Sequence, residues 1–289
     1  GRRPARRRPD GGPARADGVH TCTRTRGLAC RPEGGTLPFP LWQVLLTRPG
    51  LALVAVFDGH GGDAAAHFCA ERLAARLASA WPSGASTSAA ADALRRCFDD
   101  LNRSFLESAG ADDSGATALA ALCMPDRLLV ANAGDCRAVL WRGDALVPLT
   151  RDHTPSSKPE AERVRRAGGS IRSTVDGKPR VEGKIQVTRC IGDRPLRQFG
   201  LVSTPEIREE AICEHDKAVV LASDGLWDVV SNERVLHCLI HTAKSPDMIA
   251  KRLLAEAMER GTTDNTTVLV IFLKDLAGSC SPKNDGNTE

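Results

Sequence analysis

The chain has 289 residues, of which 42% are hydrophobic and 26% charged, with a formal net charge of +3. This is the composition of an ordinary globular protein, and the length is enough to bury a full core as one large domain or two small ones. No apolar run approaches the roughly 18 residues of a membrane-spanning helix, so no transmembrane helix is expected.

Residues 1–50 are rich in Arg, Gly and Pro, show weak periodicity and are predicted to be an atypical, partly disordered segment. Nine arginines fall within the first 31 residues. Such a start is typical of a solvated tail, a nucleic-acid-binding arm or the remnant of a transit peptide. Because the chain begins with Gly, we expect that its natural amino terminus is missing.

The most informative segment is an apolar run, residues 51–57, that is followed by Asp58-Gly59-His60-Gly61-Gly62. The run predicts a buried strand that ends on a carboxylate and an imidazole. Glycine permits unusual backbone angles and close approach of a ligand, so Asp58 is a candidate for chemistry. The same letters fit a dinucleotide-binding fingerprint. However, residues 78–86 contain no acid where that motif requires one. A purely structural turn is the remaining alternative.

Helical spacing of apolar residues predicts a helix over residues 63–81 and a second one through Ala93 and Phe105. Short apolar segments separated by turn dipeptides follow and predict an antiparallel meander. These segments cover residues 116–124, 127–133, 136–142 and 145–149.

Ser157 and Glu160 form a capping-box pattern before a short helix that ends near Gly168. A buried strand over residues 217–222, two helices that begin near Ser231 and Ser245, and a last strand over residues 266–273 complete the chain. This order fits an α+β domain better than alternating βα units.

Ten cysteines are scattered without any C-x-x-C pair, which argues against a zinc site. Several lie within apolar patterns, where a buried, reduced thiol is expected. These are Cys69, Cys123, Cys190 and Cys238. We therefore expect a reducing compartment.

Four aspartates share one setting, the edge of an apolar strand beside glycine or asparagine: Asp58, Asp135, Asp224 and Asp264. Each alone is often a turn residue that bonds its own backbone. Several in one domain favour a shared site, because converging carboxylates repel each other unless a cation neutralises them. All-oxygen ligand sets select hard ions such as Mg²⁺ or Mn²⁺. With two ions about 3.5–4 Å apart, a bridging water becomes a nucleophile for attack on phosphorus.

At these residues the chain resembles the metal-dependent serine/threonine phosphatases of type 2C, over most of its length from about residue 52 to 273. One matching motif would be weak, whereas a full set in family order is specific. The matching segments are Val56–Gly62, Ser114–Thr117, Asn132–Arg137, Arg151–Pro155, Ala167–Gly169, Thr188–Asp193, Ala222–Asp228 and Asp264–Thr267.

The resemblance implies an α+β fold, a central β-sandwich of two antiparallel sheets flanked by helices in four αββα layers, with metals at one end. It implies that Asp58 bridges two ions, with the Gly59 carbonyl also a ligand, and that Asp224 and Asp264 hold the first ion. His60 matches the general acid for the leaving alkoxide, a role suited to an imidazole; a plain turn histidine is the alternative.

Four further residues also match positions of the family. Asp135 and Asp228 resemble the ligands of a weaker third metal. Thr117 resembles a residue near that third site, although a simple strand threonine explains it nearly as well. Asp193 matches a motif aspartate for which we expect a local turn role rather than catalysis.

The resemblance breaks at the amino terminus. Arg3 matches the arginine that grips the substrate phosphate, a contact suited to a guanidinium. Arg7 and Arg8 then stand where the family has a Glu-Asp pair serving the second metal. Two cations there would repel that metal. Three other acids lack the family spacing: Asp10, Asp17 and Glu33.

Two hypotheses follow. The first is a working protein serine/threonine phosphatase that uses two Mg²⁺ or Mn²⁺ ions, the second held more weakly. The other is a phosphatase-like binding module without turnover; nucleic-acid binding through the arginines is a distant third and is not expected. We expect phosphoserine and phosphothreonine proteins as partners, a monomer, and an intracellular location in cytoplasm or nucleus, with an organelle left open. The predicted units are a segment over 1–50, a catalytic domain over 51–275, whose N-terminal strand could extend it to residue 1, and a flexible tail over 276–289.

Overall fold

Two five-stranded antiparallel sheets form the centre of the protein in a computed structural model, which describes residues 19–24, 41–48, 51–81, 87–242 and 245–273. The strands are β1 (Val19–Arg24), β2 (Leu41–Arg48), β3 (Leu51–Phe57), β4 (Gly59–His60), β5 (Gly115–Ala116), β6 (Ala118–Cys123), β7 (Arg127–Ala133), β8 (Arg137–Arg142), β9 (Ala145–Pro148), β10 (Ile171–Ser173), β11 (Pro179–Val181), β12 (Ile191–Gly192), β13 (Glu206–Ala211), β14 (Asp216–Ala222) and β15 (Thr266–Phe272). The helices are α1 (Ala64–Ala80), α2 (Thr87–Ser108), α3 (Lys158–Arg166), α4 (Asp224–Trp227), α5 (Asn232–His241) and α6 (Pro246–Glu259), with a 3₁₀ helix over Arg194–Phe199.

One large sheet has the strand order β1-β15-β14-β8-β9, and the other has the order β13-β7-β6-β3-β2. A three-stranded sheet, β12-β5-β4, and a hairpin of β10 and β11 are the other sheets in the described ranges. Residues within the first 50 contribute β1 and β2, which pair at sheet edges with β15 and β3. The boundaries of the three predicted units stay a prediction.

Alternating side chains on the central strands build three apolar layers, because successive residues of a strand point to opposite faces. On β3, Val54 lies in the core between the sheets, whereas Leu53 packs beneath α1 and α2. On β14, Val219 faces the same central core and Val220 packs beneath α5 and α6. The order is helices, sheet, sheet, helices, which confirms the predicted αββα sandwich.

The predicted meander is wrong at one point. The strands β6 and β7 pair in one sheet and β8 and β9 in the other, so the chain crosses the sandwich at Gly134-Asp135-Cys136. The turn dipeptide Gly134-Asp135 is compatible both with a hairpin within one sheet and with a crossing between two sheets. The strands beside it are buried on both faces, so no polar alternation marks their sheet. The crossing places Asp135 in the loop just before β8.

Helix starts follow the sequence only in part. The Ser231 hydroxyl accepts from the Arg234 amide at 3.4 Å, which confirms that cap, but the Ser245 side chain makes no cap bond to α6. The predicted capping box at α3 is wrong, because the Ser157 side chain makes no cap hydrogen bond. Its partner Glu160 is instead buried and bound by Thr188 and two arginines.

The structure also bears on the predictions about buried cysteines and membrane-spanning helices. The four cysteines predicted to be buried are buried and free. In the part of the chain that the structure describes, no helix is long and apolar enough to cross a membrane.

Candidate metal centre

Asp58 leaves the buried strand β3 and is fixed through its main chain by Thr117. The Thr117 amide donates to the Asp58 carbonyl at 2.9 Å, and the Asp58 amide donates to Thr117 Oγ1 at 3.2 Å. Thr117 therefore has a structural role at this place, because it clamps both main-chain polar groups of Asp58. Gly59 and His60 follow at once as the short strand β4.

Asp224 and Asp264 lie at the same edge of one sheet. Asp224 lies just beyond the end of one strand, and Asp264 lies just before the start of the neighbouring strand. Asp224 follows β14 as the first residue of α4, and Asp264 precedes β15, which pairs with β14. Gly225 permits this approach, since a Cβ there would lie 2.6 Å from the Asn265 carbonyl oxygen. The two carboxylates therefore belong to segments whose backbones are in close contact.

Asp135 lies at the crossing between the sheets, in a loop that buried polar side chains hold. Asn132 Nδ2 donates to the Gly134 carbonyl at 3.1 Å, and the Gly134 amide donates to His153 Nδ1 at 3.3 Å. Burial and then the nearby Arg189 charge lower the pKa of His153, which keeps its ring neutral and able to accept. The Asn132 and His153 motifs thus serve to place Asp135.

Asp58, Asp135, Asp224 and Asp264, the aspartate cluster, act on one another electrostatically. Burial, followed by the charges of the other three, raises the pKa of Asp58 well above its usual range. Burial and then Asp224 do the same to the pKa of Asp135. Burial, followed by Asp264 and Asp228, raises the pKa of Asp224 to about 6. Removal from water and like charge both oppose ionisation, so a bound cation would be strongly favoured.

Two cations of the chain already lie beside this cluster. Lys178, in the turn between β10 and β11, places Nζ 2.5 Å from Asp228 Oδ2. Arg137 forms a two-pronged pair with Asp152, at 2.7 and 2.6 Å. Lys178 lowers the pKa of Asp224, but less than burial and the neighbouring acids raise it. The largest influences on the pKa of Asp58 are burial and the neighbouring acids, and they all raise it.

One buried oxygen shows that the cluster fits a metal ion. Asp224 Oδ1 is shielded from water and has no hydrogen-bond partner in the described part of the chain. A buried acceptor without a partner costs about 1–3 kcal/mol, and a bound cation removes that cost. The side chains that meet here offer carboxylate oxygens, the ligand type that Mg²⁺ and Mn²⁺ prefer.

Comparison with known proteins gives a family match. The sequence model of the family Protein phosphatase 2C matches residues 46–266. The chain belongs to the protein phosphatase 2C family. Metal dependence and hydrolysis of phosphoproteins are characteristic of that family.

Individual relatives show how far the likeness extends. "Probable protein phosphatase 2C 59" of Arabidopsis thaliana is 42% identical over 231 residues, 79% of this chain and 72% of that protein. "Probable protein phosphatase 2C 71" of the same plant is 40% identical over 240 residues, 82% of this chain and 52% of that protein. This phosphatase 2C chain therefore spans between about half and three quarters of the length of such relatives.

Solved structures agree on the fold. A structure described as a C. elegans sex determining protein has a TM-score of 0.75 at 25% identity, covering 92% of this chain and 68% of that one. The serine-threonine phosphatase 2C of Toxoplasma gondii has a TM-score of 0.71 at 20% identity, covering 88% and 94%. These neighbours support the four-layer sandwich of the phosphatase 2C chain.

Most of the predicted site residues meet at one end of the sandwich. The structure brings the aspartate cluster together, with Asp228 beside Asp224, as the mutual effects on pKa show. Arg3, Arg7 and Arg8 lie outside the described residues.

Sequence reasoning missed the partner of His60. The Nε2 atom of His60 lies 2.6 Å from Oδ2 of Asp193, and the Cys190 thiol donates to that same oxygen at 3.0 Å. All three ligand-type atoms lie within 4.8 Å of one another. These are hydrogen-bond distances, which a metal ion placed between the atoms would have to open. We therefore interpret the trio as a hydrogen-bonded group. The only signal in the sequence was the motif Thr188–Asp193 itself.

Proposed function

We propose that this chain is a metal-dependent protein phosphatase that hydrolyses phosphoserine and phosphothreonine with two Mg²⁺ or Mn²⁺ ions. The proposal is carried by three buried or half-buried aspartates, Asp58, Asp135 and Asp224, whose pKa values are raised by burial and by neighbouring acids. Structural acids are usually neutralised by arginine or lysine, whereas these face each other.

Each ligand of the proposed centre comes from a segment described above. Asp58 and the Gly59 carbonyl would touch both ions, and Asp224 with Asp264 would hold the first. Asp135 and Asp228 would hold a third, weaker ion. Bound there, the ions would lower the pKa of water and orient it for attack on phosphorus.

His60 would act on the leaving group. As a new P–O bond forms from water, the bond between phosphorus and the serine or threonine oxygen breaks and leaves a basic alkoxide. A proton from the His60 imidazolium would neutralise that oxygen, giving a free hydroxyl side chain and inorganic phosphate. The ring is about one-third exposed, so it is accessible to a substrate.

The amino terminus bears on the strength of the second ion site. We propose that Arg3 grips the substrate phosphate and that Arg7 and Arg8, in place of two acids, leave the second ion more weakly held. The alternative of a binding module without turnover rests on those arginines alone. The remaining proposals are a catalytic unit over residues 51–275, phosphoproteins as substrates, a monomeric state and an intracellular location.

The test is hydrolysis of a phosphothreonine peptide at millimolar Mn²⁺, with a chelator as the metal-free reference. Asp224→Ala should lose nearly all metal-dependent turnover. Asp144→Ala is the matched control, because Asp144 lies in the exposed turn between β8 and β9 and is almost fully exposed. It should keep wild-type activity.

The outcomes separate the hypotheses. Wild-type protein that binds Mn²⁺ but shows no turnover would establish the binding module. Equal activity in Asp224→Ala and wild type would reject the metal site while leaving a phosphatase.

A further inference from the structure

The small sheet β12-β5-β4 brings the side chains of His60 and Asp193 together over Gly115, which has no side chain. His60 of β4 pairs with Gly115 of β5, and Gly192 of β12 pairs with the other edge of Gly115. A Cβ at Gly115 would lie 2.0 Å from Asp193 Oδ2 and 2.3 Å from His60 Nε2. Only glycine therefore allows the imidazole and the carboxylate to meet here.

The backbone of Asp193 is held in an unfavourable conformation to make this contact. Its φ of 52° and ψ of 49° are left-handed, a region that costs a residue with a Cβ about 1–2 kcal/mol. The Asp193 amide donates to the Ser114 carbonyl at 3.0 Å, which fixes the turn. Strained residues of this kind occur preferentially at functional sites.

The side chain of Asp193 serves the contact rather than its own turn. It makes no cap hydrogen bond to the 3₁₀ helix that follows, so the local turn role belongs to the main chain of Asp193, whose carbonyl accepts from the Leu196 amide at 3.0 Å. Its Oδ2 instead lies within hydrogen-bond distance of His60 Nε2, at 2.6 Å, and accepts a hydrogen bond from the Cys190 thiol at 3.0 Å. Burial raises the pKa of Cys190 well above its usual range, which keeps the thiol protonated as a donor.

Charge and proton placement follow from this geometry. An ionised carboxylate only accepts hydrogen bonds, so the His60 nitrogen that faces it carries a hydrogen. With Nε2 bound in this way, Nδ1 is the nitrogen left to exchange a proton with another group. The carboxylate also fixes the ring orientation, as an acid does for a histidine base or acid in other enzymes.

We infer that Asp193 is a positioning residue that pins Nε2 of His60, so that Nδ1 delivers the proton to the leaving oxygen of the substrate. The inference rests on the proposed function, since it assigns a partner to the same general acid. It adds a residue, Asp193, and an atom, Nδ1, to that assignment.

The kinetic test compares two substrates that differ in their need for a proton. A phosphothreonine peptide releases a basic alkoxide, whereas p-nitrophenyl phosphate releases a stable phenolate. Asp193→Asn should lower kcat on the peptide by about 10- to 100-fold, within the range of general acid catalysis. On p-nitrophenyl phosphate the change should be small. Asp99→Asn is the matched control, because Asp99 accepts two side-chain hydrogen bonds away from this site.

A double variant separates positioning from a merely structural role. If Asp193 acts through His60, the double variant His60→Ala/Asp193→Asn should be no slower on the peptide than His60→Ala alone. Equal losses on both substrates, or additive losses in the double variant, would overturn the inference while leaving a metal-dependent phosphatase in place.

A nitrogen NMR measurement tests the inference independently of turnover. A wild type without turnover would contradict the proposed function, but it would leave this measurement possible. The histidine nitrogens of the full chain are observed at about pH 8.5, well above the ordinary histidine pKa of about 6.5. The His60 signal is identified by its absence in His60→Gln. We expect a protonated Nε2 and a bare Nδ1 in the wild type, and a mixture in Asp193→Asn. A proton on Nδ1 in the wild type would contradict the inference.

Discussion

Glu160 and three members of the aspartate cluster, Asp58, Asp135 and Asp224, are acids largely removed from water, but their neighbours have opposite charges. Burial alone would raise the pKa of Glu160, yet hydrogen bonds from Arg163, Arg189 and Thr188 outweigh it and hold that pKa well below the usual range. At Asp58, Asp135 and Asp224, burial and neighbouring acids act in the same direction, and the pKa values rise.

The difference shows which buried acids the fold completes by itself. The Glu160 carboxylate accepts hydrogen bonds from Thr188 Oγ1, Arg163 and Arg189, each at 2.6 Å. Its charge is therefore neutralised by the protein without a bound ion. Asp224 keeps a buried oxygen without a hydrogen-bond partner within the described residues. We therefore interpret Glu160 as a structural acid and the cluster as a site that a cation completes.

The largest expected effect is the loss of turnover in Asp58→Asn. Removing the carboxylate proposed to touch both ions should lower kcat on a phosphothreonine peptide by about three orders of magnitude, because metal ions contribute several kcal/mol to such reactions. The same change should stabilise the metal-free protein, since it removes a buried repelling charge. Turnover assays and urea unfolding in chelator measure the two effects. A variant that loses both stability and activity would show that Asp58 is structural.

Glu160→Gln should act in the opposite way, mainly on stability. The amide leaves Arg163 and Arg189 without their buried anion, and both arginines are largely shielded. We expect a loss of about 2–4 kcal/mol in the free energy of unfolding, somewhat less than for a fully buried pair. Folded protein should still bind Mn²⁺.

The control for that variant lies on the same helix. Glu162→Gln removes an exposed pair with Arg166, which should matter by less than about 0.5 kcal/mol. If the two substitutions cost the same, Glu160 is no more structural than a surface acid.

The free energy of unfolding should change with pH in opposite directions for Asp224 and for Glu160. The raised pKa of Asp224, about 6, means that its contribution is present below about pH 4 and lost as pH rises through 6. The lowered pKa of Glu160 gives a contribution that is present above its ordinary pKa of 4.5 and lost on acidification.

In chelator, Asp224→Asn should therefore match the wild type near about pH 4 and exceed it by about 2–3 kcal/mol above about pH 7. Urea unfolding across this range provides the measurement. Mn²⁺ should remove the advantage of the variant, because it stabilises only the wild-type carboxylate. An advantage of the same size at all pH values would mean that ionisation of Asp224 is not its cause.

The smallest effect is expected for Lys178→Ala. The pair between Lys178 and Asp228 is well exposed on both sides, so it is worth at most about 1 kcal/mol. Its loss frees Asp228 and should strengthen binding of a further Mn²⁺ ion by up to about fivefold. Calorimetric titration measures the change, and Lys158→Ala on α3 is the control for lost positive charge. Weaker Mn²⁺ binding in Lys178→Ala would argue that the lysine supports the site instead of competing for it.

Strand ends were the part of the site that the sequence could predict. Asp58 and Asp224 each follow a strongly apolar run, and Asp264 precedes one, so their place at a sheet edge is encoded locally. The four layers also followed from the family motifs. The crossing at Asp135 did not, because strands buried on both faces carry no signal for the sheet to which they belong.

The polar contacts around the site were beyond local sequence. The pattern at Ser157 and Glu160 predicts a capping box, but Arg189, 29 positions away, takes the carboxylate instead. The contact of Asp193 with His60 spans 133 positions and depends on the missing side chain of Gly115. Such contacts are set by tertiary packing, which overrides local preference.

The most direct measurement is a calorimetric titration of the metal-free chain with Mn²⁺ at about pH 6, near the raised pKa of Asp224. Repeating it in buffers of different ionisation enthalpy counts the protons released, because carboxylates must be ionised to bind metal. We predict binding with proton release in the wild type and in Asp144→Asn, with both strongly reduced in Asp224→Asn. Mn²⁺ binding of equal strength in Asp224→Asn, or no binding to the wild type, would contradict a metal site built on the aspartate cluster.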